Sequence, residues 1–164
     1  VKKDELKDNY WILRGKKLEP EARFAFASEK KKDVDQVGFV TEDDHTIYKR
    51  GCSPDSLILD ADEAVELKCP APWTHVGYLL DGPDAGSSNK KYKQQVQGQL
   101  WIGGFDKVYF CSYHPQMPLY VIETGRDEKY IKKMDDLFRQ FCEILAKNLV
   151  EVRKKGEFHA REAV

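Results

Sequence analysis

Apolar and polar positions along this chain follow two rhythms. From Cys52 to Pro70 the period is two. Ser56 to Leu59 and Ala64 to Leu67 are short apolar segments flanking the turn-forming Asp60-Ala61-Asp62-Glu63, which predicts a β-hairpin. On its second strand that period puts Glu66 and Lys68 on one face and sends Leu67 to the other, into the core. Val37 to Val40 and His45 to Tyr48, around the acidic turn Glu42-Asp43-Asp44, read as further strands after a charged loop from Lys30 to Gln36. Lys107 to Tyr113 and Leu119 to Glu123 read as the closing pair, parted by the turn His114-Pro115-Gln116-Met117-Pro118.

Elsewhere the period is near 3.6. Residues 8–29 read as a helical segment with Trp11, Ile12, Leu18, Ala22, Phe24, Ala25 and Phe26 as its apolar members. Pro20 either kinks that helix or opens a second one in its first turn. Residues 91–103 predict a helix with Tyr92, Val96, Leu100 and Trp101 inward, stopped by Gly103-Gly104. Residues 127–152 predict a long helix whose stripe runs from Tyr130 and Ile131 through Phe138 and Leu145 to Val152 and packs on the sheet. The expectation is one α/β domain over residues 1–164: a central mixed sheet, covering the hairpin region 37–69 and the strands of 107–123, flanked by helices.

Composition agrees with a single compact unit. With 41% hydrophobic and 34% charged residues, the chain can bury a core and is not of the disordered class. No apolar run approaches the ~20 residues of a membrane span, and Val1-Lys2-Lys3-Asp4-Glu5 lacks the apolar stretch of a secretion signal. A cytoplasmic protein, with no membrane partner, is expected. The net charge of −1 does not advertise a nucleic-acid binder, yet basic residues gather at Lys30 to Lys32, Lys90 to Lys93 and Arg153 to Lys155. Cys52, Cys69, Cys111 and Cys142 form no Cys-x-x-Cys pair, so reduced, largely buried thiols are expected.

The chemistry concentrates at the hairpin. Asp55 stands at the mouth of its first strand, and Glu66 and Lys68 share a face of its second. Two carboxylates without a neighbouring His or Cys ligand make a hard-oxygen site, suited to Mg²⁺ or Mn²⁺ rather than zinc. A lysine one tooth along can help deprotonate a water or stabilise charge on a phosphate under attack. A bare Glu-x-Lys is more often a solvated pair. What raises its weight is Ser53-Pro54-Asp55 upstream and Cys69-Pro70 after it.

Those residues resemble the phage lambda exonuclease family of viral recombination nucleases, the alkaline exonucleases, within the Pro-Asp...(Asp/Glu)-x-Lys nuclease superfamily. The resemblance rests on Cys52-Ser53-Pro54-Asp55, Glu66-Leu67-Lys68-Cys69-Pro70, Tyr92-Lys93-Gln94-Gln95-Val96-Gln97, Tyr113-His114-Pro115-Gln116-Met117 and Arg126-Asp127-Glu128-Lys129-Tyr130. It covers roughly Gly15 to Leu149 in order. It implies a restriction-endonuclease-like core and Mg²⁺, or Mn²⁺, held by Asp55, Glu66, the carbonyl of Leu67 and Glu19 of a Gly-x-x-x-Glu helix. Lys68 and Gln95 would manage the water and the scissile phosphate. Ser53, His75, Tyr92 and Lys93 are candidate DNA or phosphate contacts, with Asp81 to Asn89 as a substrate-contacting lid and Gln97 and Gln99 facing solvent.

In family terms this is a 5′-to-3′ exonuclease that resects duplex DNA ends, forms a homotrimer, and works with a single-strand annealing protein in phage-type recombination in a bacterial host. Relatives place a 5′-phosphate pocket in a segment before the Gly-x-x-x-Glu helix. Residues 1–14 are what precedes Gly15 here, so either the chain is a fragment or the pocket is built differently. An endonuclease or repair nuclease of the same superfamily, or a DNA-binding module without catalysis, are the alternatives. Superfamily members that carry an iron–sulfur cluster do so on four cysteines, but the positions of these four argue against one.

Overall fold

The computed structural model describes residues 10–42, 47–82 and 86–155, and the side chains of these apart from residues 86–91. His45 as a surface residue, the side chains of Lys90 and Lys91, and the tail beginning at Gly156 lie outside the described residues.

The first helix, α1, runs unbroken over Tyr10–Lys30 with Pro20 inside it. Pro20 is exposed and lies within this one helix, so no second helix opens there. Ala22 and Phe26, one turn apart, are its buried contacts, while Phe24, expected among its apolar members, is 74% exposed. Lys31 takes a left-handed conformation (φ 52°) and the Lys32 N–H returns to the Ala27 carbonyl at 3.2 Å, closing the helix.

Five strands form the main sheet in the order β1-β4-β5-β6-β7. They are β1 Val34–Asp35, β4 Ser56–Ile58, β5 Glu63–Lys68, β6 Lys107–Ser112 and β7 Tyr120–Gly125. The expected hairpin is β4–β5, antiparallel with Ser56 opposite Val65 and Leu57 opposite Ala64. Asp60 supplies the positive φ (61°) of its turn. β5 and β6 are parallel, Glu66 opposite Phe110, as a crossover through helices permits, and β7 returns antiparallel. The sheet is therefore mixed, with helices on its faces.

Three details differ from expectation. The charged loop after α1 contains β1, which pairs with β4. The strands expected at 37–40 and 45–48 lie later, as β2 Val40–Glu42 and β3 Arg50–Cys52, and make a separate two-stranded sheet. The tip of the exposed Phe39 ring lies over Gly51, in the space a side chain there would enter. The segment after Pro70 forms a helix, α2 Pro72–Asp81, that the apolar pattern did not announce.

The alternation on β5 sorts the core into two halves. Val65 and Leu67 meet Ala22 and Phe26 of α1, with Tyr109 and Cys111 of β6. Ala64 faces the other side with Tyr78 of α2, Val108 and Phe110 of β6, and Val96 and Leu100 of the helix α3, Gly86–Ile102. Helix α3 starts five residues before the expected position and takes up residues 86–89 of the predicted lid, whose first residue, Asp81, ends α2; residues 83–85 lie outside the described residues. Gly104, at φ 66°, ends it.

The last helix, α4 Glu128–Lys155, packs chiefly on α3 rather than on the sheet. Trp101 and Phe138 meet edge to face, and Ile131 and Cys142 are buried. Phe141, Ile144, Leu145 and Leu149 remain exposed, so the expected packing of the whole stripe does not hold. All four cysteines are unpaired thiols, as expected. No helix among the described residues is long and apolar enough to cross a membrane.

Candidate active site

Hairpin β4–β5 presents its carboxylates where it meets the N-terminal half of α1 and the middle of α3. The Asp55 N–H continues the ladder to the Val65 carbonyl at 3.1 Å, which holds the residue rigidly at the strand mouth. Its Oδ2 accepts the Leu67 N–H at 2.7 Å. Glu66, on the α3 side of β5, is only 1% exposed. An acid so buried must be compensated, and three donors do this. Lys68 Nζ and Gln95 Nε2 (2.6 Å) both reach Oε1, and Gln99 Nε2 reaches Oε2 at 2.5 Å.

Above these groups opens a cavity of about 560 Å³. Trp11, Ile12, Gly15 and Glu19 of α1 form one wall; Asp55, Leu67, Lys68, Cys69 and Pro70 form the floor, and Tyr92 of α3 the far side. Lys68 Nζ lies 5.5 Å from the Tyr92 ring centre. At the rim Trp11 meets the exposed Trp73 edge to face at 5.4 Å.

Electrostatics at the floor is acidic. Burial first, and then the charge of Glu66, push the Asp55 carboxyl up to about 6, against the opposing effects of the Leu67 N–H and Lys68; Glu19 adds to the rise. Asp55 therefore senses both other carboxylates. Burial also pushes the Cys69 thiol up to about 11 and the Cys111 thiol up to about 12, which makes both poor nucleophiles.

Among the described residues, no three His, Cys, Asp or Glu side chains are grouped as a ready-made metal cage. The donor set nevertheless fits a magnesium-like ion. Such ions bind through one or two carboxylates and complete their shell with water and phosphate oxygens. The charge of Glu66 that helps raise the Asp55 carboxyl is the kind of repulsion a cation beside the carboxylates relieves.

The structure thus brings Glu19, Asp55, Glu66, Leu67, Lys68, Gln95 and Tyr92 together. Ser53 is exposed beside the buried Pro54, next to this group in sequence. Two phosphate candidates fall elsewhere. His75 is fully buried, with Nδ1 at 2.7 Å from Ser112 Oγ and Nε2 at 3.0 Å from the Pro118 carbonyl, so both ring nitrogens are spent on the fold. Lys93 pairs with Asp127 at 2.9 Å and lies over the Tyr130 ring, on the α4 side of α3.

Gln97 and Gln99 are corrected outright, since neither faces solvent. Gln97 donates to the Gly125 carbonyl and accepts the Asp127 N–H, tying β7 to the start of α4, and Gln99 holds Glu66. Two arginines were missed by the sequence reading. Arg23, one turn after Glu19, donates to Glu19 Oε1 (2.7 Å), Ser56 Oγ (2.7 Å) and the Asp55 carbonyl (3.2 Å). Arg14 donates to the Cys69 and Pro70 carbonyls at 2.7 and 2.8 Å, anchoring α1 to the strand end beyond Lys68. The i,i+4 spacing from Glu19 was the available signal for Arg23.

Known proteins share this fold. The chain is similar to an alkaline exonuclease, LHK-Exo, from Laribacter hongkongensis, at 28% identity and a TM-score of 0.78, over 90% of this chain and 74% of that one. The same enzyme in complex with dAMP gives 29% identity and a TM-score of 0.72, over 90% and 75% of the two chains. A phage-related exonuclease from Haemophilus somnus shares the fold at 13% identity and a TM-score of 0.65, over 88% and 76% of the two chains. The ExoD protein of Escherichia coli K12 is 33% identical over 64 residues, 37% of this chain and 74% of that one. Residues 1–106 match the YqaJ-like viral recombinase domain, and the chain belongs to that family.

Proposed function

We propose that this protein is a metal-dependent deoxyribonuclease that hydrolyses DNA phosphodiester bonds, acting on duplex ends in the 5′-to-3′ direction. The observation that carries the reading is that Asp55 and Lys68 line one cavity while Lys68 pairs with the buried Glu66, both of whose oxygens are held by amides of α3. Family membership and the likeness to alkaline exonucleases support a nuclease. Polarity, duplex preference and the metal rest on the motif resemblance and the donor chemistry.

Asp55, Glu66, the Leu67 carbonyl and Glu19 are the residues that would hold Mg²⁺, with Mn²⁺ as a chemical equivalent. When bound, the cation supplies Lewis acidity to the phosphate and makes water a stronger nucleophile near neutral pH. Lys68 places an ammonium at the cavity floor, where it stabilises the negative charge that builds on a phosphate under attack. Gln95 offers an amide that donates to a phosphate oxygen or orients water without competing for a cation. Arg23 fixes Glu19 and the Asp55 backbone from behind. Trp11, Ile12 and Tyr92 give apolar walls that limit water and pack against sugar and base. A homotrimeric assembly and a single-strand annealing protein as partner are proposed on the family resemblance.

The test is incubation of purified protein with linear and covalently closed duplex, in Mg²⁺ and in a chelator. Loss of linear DNA in Mg²⁺ alone, with closed circles surviving, is expected. Rapid nicking of the circles would replace the exonuclease with an endonuclease, and binding without cleavage would leave only a DNA-binding module.

A further inference from the structure

Helix α3 puts two glutamines, Gln95 and Gln99, one turn apart on the face that meets β5, and each holds one oxygen of Glu66. Their surroundings differ. Gln95 is exposed and shares Oε1 with Lys68, which lines the cavity. Gln99 is 2% exposed and reaches Oε2 at 2.5 Å.

Gln99 has one further peculiarity. Its amide oxygen has no hydrogen-bond partner among the described residues, although it is buried. The reverse orientation would set that oxygen against a carboxylate, so the nitrogen belongs on Glu66 and the oxygen bears the cost. Among the described residues no donor reaches the acceptor side of this amide, so the bond to Glu66 is what fixes it. A cationic side chain in the same place would bind Glu66 more strongly but would neutralise it and oppose a divalent ion. A neutral amide orients the carboxylate and leaves its charge in place.

We propose that Gln99 is a positioning residue of the nuclease centre: it locks the Glu66 carboxylate in the orientation that receives the metal, and leaves Gln95 free to exchange Glu66 for substrate. The two glutamines thus divide the work, the buried one holding the ligand and the exposed one serving the reaction. This inference rests on the nuclease reading above, and it assigns the buried glutamine a task distinct from that of its neighbour.

The comparison is among the native protein, Gln99→Met and Gln97→Met. Methionine keeps the length and bulk of glutamine and removes the donor. Gln97 is as buried as Gln99 and on the same helix, but its amide serves Gly125 and Asp127. Three quantities are read: Mn²⁺ affinity by calorimetry without DNA, kcat and KM on linear duplex, and Tm. Gln99→Met is expected to weaken Mn²⁺ binding by about 10- to 100-fold, the usual effect of losing a group that orients a metal ligand. Its kcat should fall by a similar factor with KM for DNA unchanged. Gln97→Met should lower Tm and leave Mn²⁺ affinity and kcat as in the native protein.

Native-like Mn²⁺ affinity and kcat in Gln99→Met would overturn the positioning role while leaving the nuclease reading standing. A native protein that neither binds Mn²⁺ nor cleaves DNA would overturn both. Should Gln99→Met fail to fold, nitrogen-15 spectra of the native protein decide. The Gln99 side-chain amide, assigned through its own backbone, should shift with Mg²⁺ at the same midpoint as Asp55 and Leu67. An unmoved Gln99 amide during that titration refutes the proposal.

Discussion

Asp55 reaches across the hairpin to take the Leu67 N–H on Oδ2 at 2.7 Å, so the first acid of the site is positioned by the backbone of the strand that carries the second. The bond does not cancel the cost of placing Asp55 near Glu66, because burial and that neighbour still hold its carboxyl up at about 6.

Stability of the chelated protein should therefore fall as pH rises. A carboxyl raised from 3.8 to about 6 in the fold binds a proton that the unfolded chain has already released. Its stabilising contribution is complete below pH ~4 and lost by pH ~6 to 7, on the order of 2 kcal/mol after allowing for solvent screening. Asp55→Asn should flatten that segment of the profile and stabilise the chelated protein at pH 7. Urea unfolding between pH 4 and 8 measures both; a native profile unchanged by the substitution contradicts the assignment of the shift to Asp55.

Much of this centre is legible in the sequence. The β4–β5 hairpin could be read because a period of two and an acidic turn define both face and register, and the observed Ser56–Val65 pairing keeps Glu66 and Lys68 together. A two-residue strand such as β1 is too short to show a period. The roles of His75 and Gln99 were hidden for another reason. Their partners, Ser112 and Glu66, lie 37 and 33 residues away, and a polar side chain is solvated by default until a distant group claims it. The stripe on α4 announced an apolar face, but periodicity does not say what covers a face, and much of this one is exposed.

Lys68 should separate from its acidic neighbour Glu63 in mutant kinetics. Lys68→Ala removes the ammonium at the cavity floor and should lower kcat by about 10² to 10⁴ with little loss of metal affinity. Glu63 pairs with Lys32 at 2.6 Å and with Lys107, away from the cavity, so Glu63→Ala should lower Tm slightly and leave kcat unchanged. Equal losses of kcat at the two positions would mean that both act only through the hairpin.

Arg23 supports the site through three bonds, to Glu19, Ser56 and Asp55. Arg23→Ala should cost about 2 to 4 kcal/mol in denaturant unfolding, since it leaves partly buried acceptors without their charged donor. Arg23→Lys should recover little of this, because a single ammonium cannot reproduce the guanidinium fork. Full recovery by lysine would show that only the charge matters there.

Polarity is read with a duplex labelled at one 5′ or one 3′ terminus, with and without terminal phosphate. Early release of the 5′ label and survival of the complementary strand are expected. If residues 1–14 carry no 5′-phosphate pocket, cleavage should show little preference for phosphate over hydroxyl ends and should weaken steeply with salt. Immediate release of the 3′ label contradicts the direction.

The most direct measurement is hydrolysis of linear duplex in Mg²⁺ by Glu66→Gln, on protein whose circular dichroism and Tm match those of the native chain. Glutamine keeps the shape of the buried side chain and removes its charge, so metal retention and cleavage should both be abolished. Turnover within a fewfold of the native rate would mean that the phosphodiester chemistry, if present, happens somewhere other than the Asp55–Glu66–Lys68 centre.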